Sequence, residues 1–310
     1  MTMAQSHGFD NTVVVAKETT YGTAPTTGFK WVGIVESFDP SEAMNVDQRR
    51  GLGKRAPFAL RTGAREVDAS ISVAVQNGRL FAYALGKVSS AVSGGGNAHT
   101  ITPVGPGEQL PSMTVQNDNA LLGLTRNYLG GKVDTLTLTA EAEEAVTMEA
   151  ELLFTKFDDT VVTPATVTAE LDNYFMFYEG AVKINTVDVA DITSFELEIA
   201  NNLERKFGVK QGDGSASRIE EGSLELTASI TMDMTNTTQW DLFKQGNAIE
   251  VELELQDIAD ADHSITITLT GGLYDTNSLT ASAEDNQEQE LEAVFTGITV
   301  VAVDGNATLL

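Results

Sequence analysis

The side chains suited to catalysis in this 310-residue chain are few and scattered. Three histidines, His7, His99 and His263, could move protons near neutral pH. They fall in an N-terminal arm, at a strand start and in an acidic loop, and none stands next to a serine in nucleophile-elbow spacing. A histidine so placed is expected simply to be exposed. The run DIADADH offers Asp257, Asp260 and Asp262 as hard-cation ligands. It lacks the spacing and glycine of a calcium loop, so it reads as a solvated acidic turn and no metal site is expected. Gly94–Asn97, GGGN, lacks the following helix that a phosphate loop needs and reads as a linker. NTT at 236–238 and NAT at 306–308 fit the glycosylation triplet, but a helix start explains the first better. With no cysteine, thiolate nucleophiles, Cys-zinc sites and disulfides are all excluded. No catalytic residue, cofactor or metal is assigned, and an enzyme is the weakest reading.

The chemistry that stands out is charge. The stretch Met44 to Arg65 carries six basic residues, Arg49, Arg50, Lys54, Arg55, Arg61 and Arg65, against one acid, Asp47. Gly51, Gly53, Pro57 and Gly63 within it oppose a long helix or a regular central strand. Leu203 to Gly222 is a second such stretch, with Arg205, Lys206, Lys210 and Arg218. Together the two arms hold 10 of the 19 Lys+Arg, in a chain with 45 Asp+Glu. Basic, exposed arms on an acidic body are contact devices. Aromatic residues do not interleave with the charges in a base-stacking pattern, since Phe58 and Phe207 are isolated.

The body that must position these arms is strongly acidic, with formal charge −26 and pI about 4.3. Such a surface repels nucleic acid and anionic membrane, and the compact state bears its own repulsion. Adaptation to high salt, where that repulsion is screened, and ordinary acidity are both open readings. Apolar content of 42% is that of a globular chain long enough for two cores. MTMAQSHGFDN has neither the basic nor the apolar region of a signal peptide, and no apolar run reaches bilayer length, so no membrane anchoring is expected.

The elements read as β. Residues 1–28 form an arm with one short strand at Val13–Ala16, and Phe29–Phe38 reads as a strand. From Val67 to Val75 the apolar residues fall on odd positions with Asp68, Ser70 and Ser72 between them, the period of a strand with one wet face. Gln76–Gly86 has helical spacing, with Asn77 as N-cap and Gly86 as stop, and is expected to cover one side of a sheet. Residues 88–98 read as a flexible loop. Strands follow at His99–Thr102, Met113–Gln116, Leu121–Asn127, Val133–Thr139 and Val146–Phe154, the last two as a hairpin, with Thr147, Glu149 and Glu151 on the wet face. Residues 158–172 read as a link.

Beyond that link the pattern repeats. VESF at Val35–Phe38 matches ITSF at Ile192–Phe195, EVDASISV from Glu66 matches ELTASITM from Glu225, and Asn77–Lys87 matches Asn236–Asn247. Glu225, Thr227, Ser229 and Thr231 repeat the wet face. Strands at Ile249–Leu255, Ile265–Leu269, Leu291–Phe295 and Ile298–Val303 complete the second half. Two distinct arms, strands and helices in one order mean a duplicated domain, divided here as 1–160 and 161–310.

KETTYGTAPT at Lys17–Thr26, the strand–arm–strand–helix order of Val35–Lys87, NYLGGKVDTLTLT from Asn127 and SFELEIANNLERKFG from Ser194 resemble the tail tube proteins of long-tailed phages and archaeal tailed viruses. That resemblance implies a mainly β fold of two tandem barrel- or sandwich-type domains, each with a short helix, whose sheets join across subunits into a ring. Rings would stack into a hollow tail tube that conducts double-stranded DNA. The partners would be the chain itself and other tail proteins at the tube ends. The protein would lie in the virion after assembly in the host cytoplasm. The usual ring has six single domains, so a duplicated chain implies three copies per ring. The arms would then contact the adjacent ring through their ten basic residues and through Leu52, Phe58, Leu60, Phe207 and Val209, while Asp68, Ser70, Ser72, Glu225, Thr227, Ser229 and Thr231 would face the lumen. An acidic tandem β-sandwich of a cell surface is the alternative, and DNA binding by the arms a further one.

Overall fold

In the computed structural model the described residues are 5–160, 162–170, 172–209, 212–280 and 287–310. Alternating sequence becomes strand wherever one face can be buried, and the fold is mainly β. The first half contains β1 (Asn11–Lys17), β2 (Ile34–Ala43), β3 (Asp47–Arg49), β4 (Ala59–Arg61), β5 (Glu66–Ala74), α1 (Arg79–Leu85), β6 (Gly86–Ser93), β7 (Gly96–Pro103), β8 (Met113–Asn119), β9 (Leu124–Glu141), β10 (Thr147–Phe154) and β11 (Lys156–Asp158). The second contains β12 (Gly180–Ile184), β13 (Val187–Asp188), β14 (Ile192–Ala200), β15 (Glu204–Lys206), β16 (Arg218–Glu220), β17 (Glu225–Asp233), α2 (Thr238–Gln245), β18 (Ile249–Gln256), β19 (Ser264–Thr280), β20 (Glu288–Val294) and β21 (Gly297–Asp304).

One antiparallel sheet of eight strands runs through the molecule in the order β2, β5, β10, β9, β14, β17, β20, β19. Each half contributes four strands, and the halves meet where β9 pairs with β14, from Ser194 opposite Glu141 to Ala200 opposite Thr135. The inner face is apolar, with Ile71, Ala150, Leu136, Leu197, Ile230 and Leu291 all buried. A smaller sheet, β1–β8–β9–β11, closes the core of the first half. Behind the second half, β12, β18, β19 and β21 do the same.

β9 and β19 serve two sheets because each bends at a glycine pair. Gly130 and Gly271 adopt φ of +65° and +63°, a region that L side chains rarely enter. The next glycine in each pair, Gly131 or Gly272, lies where a Cβ would drive into the ring of Phe154 or Phe295. Thr155 and Thr296 donate their hydroxyls to the carbonyls of Leu129 and Thr270 at 3.0 and 3.3 Å, so both bends are tied in the same way. Glu18, of the sequence ETTYGT, accepts from the Gly130 amide at 2.8 Å, the Thr114 hydroxyl at 2.9 Å and the Gly22 amide at 2.8 Å. That motif is thus a brace for the first bend.

Several expectations are corrected. Residues 88–98 are not a flexible loop. They belong to the hairpin β6–β7, whose Gly95 amide donates to Asp262 at 3.0 Å and whose β7 pairs with β21 of the second half. The second half has no counterpart of this hairpin, since α2 leads almost directly into β18. Residues 29–33 precede β2, which begins at Ile34; of the strand expected at Leu121–Asn127, 121–123 are a turn and 124–127 run on with Val133–Thr139 as the single long β9. α1 does not merely cover a sheet, for all seven of its residues are buried. The link is fastened down rather than loose: Ala165 donates to Gln116 at 2.6 Å, and Glu170 meets Arg79 at 2.7 Å.

Candidate functional site: two arms, an acidic face and two open edges

The wet face of the main sheet is built by strict alternation. Glu149 and Glu151 on β10 are flanked by Ser72 and Ser70 on β5 and by Thr137 and Thr135 on β9. Glu196 and Glu198 on β14 lie between Thr139 and Thr137 on one side and Ser229 and Thr227 on the other. Glu290 and Glu292 on β20 lie between Thr231 and Ser229 and, on β19, Ser278 and Thr276. Strands that carry acids therefore alternate with strands that carry hydroxyls. Carboxylates directly opposite one another would destabilise the sheet, and this order avoids it at the six glutamates, leaving Asp233 opposite Glu288 at the end of the β17–β20 pair as an exception. Ser70, Ser72, Thr227, Ser229 and Thr231 all sit half-buried on this face. Asp68 is at its border, where it pairs with Arg205, and Glu225 is exposed at the start of β17. Glu149 and Glu151 are read on a wet face from the sequence, and Glu196, Glu198, Glu290 and Glu292 are the members it misses. Their signal was present in the same period-two alternation, but the fact that they share one surface depends on strand order.

Both arms are hairpins with the same base. β3 pairs with β4 and β15 with β16. Asn45 and Asn202 take φ of +31° and +49°, and the amides of Gly63 and Gly222 close the two loops on the carbonyls of Met44 and Asn201 at 3.1 and 3.0 Å. Their surroundings differ. The second arm lies on the first half. Arg205 donates to the carbonyls of Val67 and Phe154 at 2.6 and 3.3 Å and pairs with Asp68. Ile219 is only 2% exposed, its amide donating to the Tyr21 hydroxyl at 2.9 Å and its carbonyl accepting from Lys132 at 3.1 Å. Burial pushes the Tyr21 hydroxyl up to about 12. Lys206 pairs with Glu204 at 2.5 Å and Arg218 with Glu220 at 2.6 Å. Phe207 and Val209 stand exposed at the tip, and Lys210 lies outside the described residues.

The first arm touches little. Arg49 pairs with Asp47 at 2.7 Å, Lys54 lies over Phe58 at 5.6 Å and Arg65 over Phe157 at 5.9 Å. Arg50, Arg55 and Arg61 are exposed, as are Leu52, Phe58 and Leu60.

Glu221 anchors the second arm to Lys132 at 2.6 Å and to the Leu110 amide at 3.0 Å. Burial raises its pKa, but the Lys132 contact and the backbone donors outweigh that and hold it below its ordinary value of 4.5. A depressed carboxylate contributes stability that is complete above 4.5 and is lost as pH falls through the lower folded value. Glu221→Gln is therefore expected to flatten the acid limb of the unfolding midpoint below about pH 4.5, while leaving its neutral-to-alkaline shape unaltered. An unchanged acid limb in thermal scans would remove this role.

Two histidines expected in exposed positions are buried instead. His99 bridges Ser90 at 2.7 Å and Asp304 at 3.2 Å, and His263 donates from Nε2 to the Gln76 carbonyl at 2.8 Å while stacking on Phe175. The Ser90–His99–Asp304 line resembles a triad, but Ser90 sits mid-strand rather than on a strained elbow. Its evident work is to pin β7 to β21. His7 is exposed, as expected, and stacks on Phe9. Asp257, Asp260 and Asp262 each accept a backbone amide, from Ala259, Asp262 and Gly95 respectively, and so act as turn caps.

A mainly β chain whose sheet continues from one half to the other, with two projecting hairpins and, among the described residues, an unpaired strand edge at each end of that sheet, has the parts of an assembling structural subunit. The model of the phage tail tube protein family matches residues 8–298, and the chain belongs to that family. It is a structural protein of the phage tail, and hence of the virion. No curated protein matches it. Among solved structures, a chain in the cryo-EM structure of the anti-feeding prophage baseplate, 6-fold symmetrised, is similar over 40% of this chain and 92% of its own, at 15% identity and a TM-score of 0.28. No helix among the described residues is long and apolar enough to cross a membrane.

Proposed function

We propose that this chain is the major tail tube protein of a long-tailed virus and that three copies close one ring. The seam between β9 and β14 carries the reading. It joins two half-chains edge to edge through seven residue pairs, so the sheet already contains one example of the junction that a ring requires. The halves are two copies of one domain, 8–158 and 177–304. Their 3-10 turns (Gly8–Asp10, Phe177–Glu179), β1/β12, the glycine bends and the arm bases all correspond. On this reading a connector joins the two copies in place of a boundary at 160.

Among the described residues, β2 and the C-terminal half of β19 each have one sheet neighbour and leave the other edge unpaired. Open edges of this length invite another strand. Closing them between chains turns the wet face inward. A wall of glutamate and hydroxyl repels phosphate and lets double-stranded DNA slide. The exposed tips of the arms, with Leu52 and Val209, serve the stacking of rings and the docking of other tail proteins at the tube ends. Apolar contacts of this kind persist in concentrated salt, which suits the acidity of a virus with a salt-loving host. Negative-stain images of the purified chain are expected to show stacked rings, with a three-chain species in native mass spectrometry. Monomers or a flat lattice would favour the surface-protein alternative.

A further inference from the structure

We infer, on the ring reading above, that the first arm is a clasp that seats on the second half of the next copy in the same ring, with Leu60 against Leu273. The strand registers place Phe38 where Phe195 stands, Val67 where Leu226 stands and Phe154 where Phe295 stands. Lys132 and Val133 correspond in the same way to Leu273 and Tyr274. Within the chain, the second arm is seated on the first half. The first arm has no second half on its own side of the sheet to receive it, because β2 is the sheet's end.

Every unfilled position then finds an unfilled counterpart. Ile219 is buried on the first half, whereas its equivalent Leu60 is 65% exposed. Lys132, which receives Ile219, is buried, whereas its equivalent Leu273 is 51% exposed. The inner seat's contact of the Lys132 ammonium with the Ile219 carbonyl is thereby replaced by a contact between two leucines in the outer one. Met44 and Val46, at 46% and 53% exposure, stand where Asn201 and Leu203 contact the first half through Val133 and Asp134. Gln48 stands where Arg205 reaches two carbonyls, and its amide can donate to the equivalent carbonyls of Leu226 and Phe295.

The sheet edge agrees. In the register of the inner seam, Thr280 of one chain faces Asp39 of the next, and Ser278 faces Ser41. A hydroxyl strand thus meets the strand bearing Asp39, so the order of acid and hydroxyl strands runs on across the junction. Leu279 would face Pro40 in place of the inner pair Leu138 and Leu197, and a proline there forfeits at most one ladder bond. The hairpin part of the arm therefore holds the ring, and only its tip, Arg50 to Pro57, projects toward the neighbouring ring.

The chain has no cysteine, so pairs can be introduced against a blank background. Ser41→Cys with Ser278→Cys, oxidised in dilute rings, is expected to give a covalent ladder that ends at three chains. Leu60→Cys with Leu273→Cys, treated with a short bismaleimide, is expected to end at the same three. If the first pair closes rings but the second links nothing, or links only in stacked tubes and without limit, the clasp is wrong and the ring stands. If the first pair also fails and the chain stays monomeric, the ring reading falls. Leu60→Glu is expected to raise the concentration for ring formation at least tenfold while the monomer melts unchanged; an unchanged threshold would also overturn the clasp.

Discussion

Proline at Ser278 and proline at Leu279 are expected to have opposite effects. Neighbouring residues of an antiparallel strand point their amides in opposite directions, so one of the two donates into β20 and the other out of the open edge. The outward proline removes a donor from the chain–chain ladder and places its ring where the next strand must approach. We expect that variant to fold normally, to stay monomeric and to lose tube growth, with the threshold concentration raised at least ~10-fold, the equivalent of about 1.4 kcal/mol. The inward proline should lower the stability of the monomer instead. Sedimentation and electron microscopy read the first effect and denaturant melts the second. Two variants that both polymerise as the parent does would show that this edge is not a junction.

The largest loss of stability is expected from Arg79→Ala. Arg79 is 3% exposed at the head of α1 and gathers parts of the chain far apart in sequence. It pairs with Glu170 at 2.7 Å, and donates to Asn306 at 2.5 Å and to the carbonyls of Leu309 and Thr308 at 2.7 and 3.2 Å. Removing one member of a buried ion pair typically costs about 3–5 kcal/mol, because the remaining charge is stranded. Here Glu170 is less deeply buried than Arg79, so part of that cost is relieved by water, while the three other acceptors lose their donor. Urea titration should show a lower midpoint at unchanged slope. Glu170→Gln keeps an acceptor at the same place and should cost less than Glu170→Ala. A midpoint for Arg79→Ala within experimental error of the parent would refute the role.

A good part of this molecule was legible in one dimension. Period-two alternation located β5, β10 and β17, and helical spacing located α1, because those patterns depend only on which face of a local element is buried, while α2 followed from its match to α1. The two basic, glycine-containing arms were visible as a matched pair, and their equivalence survives in the matching turns at Asn45 and Asn202. Burial of His99 was not legible, because its partner Asp304 lies 205 residues away. The hairpin β6–β7 was read as a loop because its Gly/Ser-rich residues lack an apolar face of their own. It is a strand pair because β21 offers a backbone edge, and backbone hydrogen bonds are blind to side chains.

By itself, then, the sequence determined an acidic, mainly β chain whose order of elements recurs and which carries two basic arms. Tertiary structure alone decided which strands are neighbours, and so it decided everything that depends on adjacency. The glutamates of β10, β14 and β20 become one acidic face with a hydroxyl strand beside each of them. Ile219 becomes buried and Arg205 half-buried, while their first-arm counterparts Leu60 and Gln48 stay exposed. The physical reason is that sheet order is written in non-local backbone bonds, which any residue but proline can make. Two arms with the same base thus acquire different surroundings, because one half of the chain has a neighbour on its β14 side and the other, at β2, has none among the described residues.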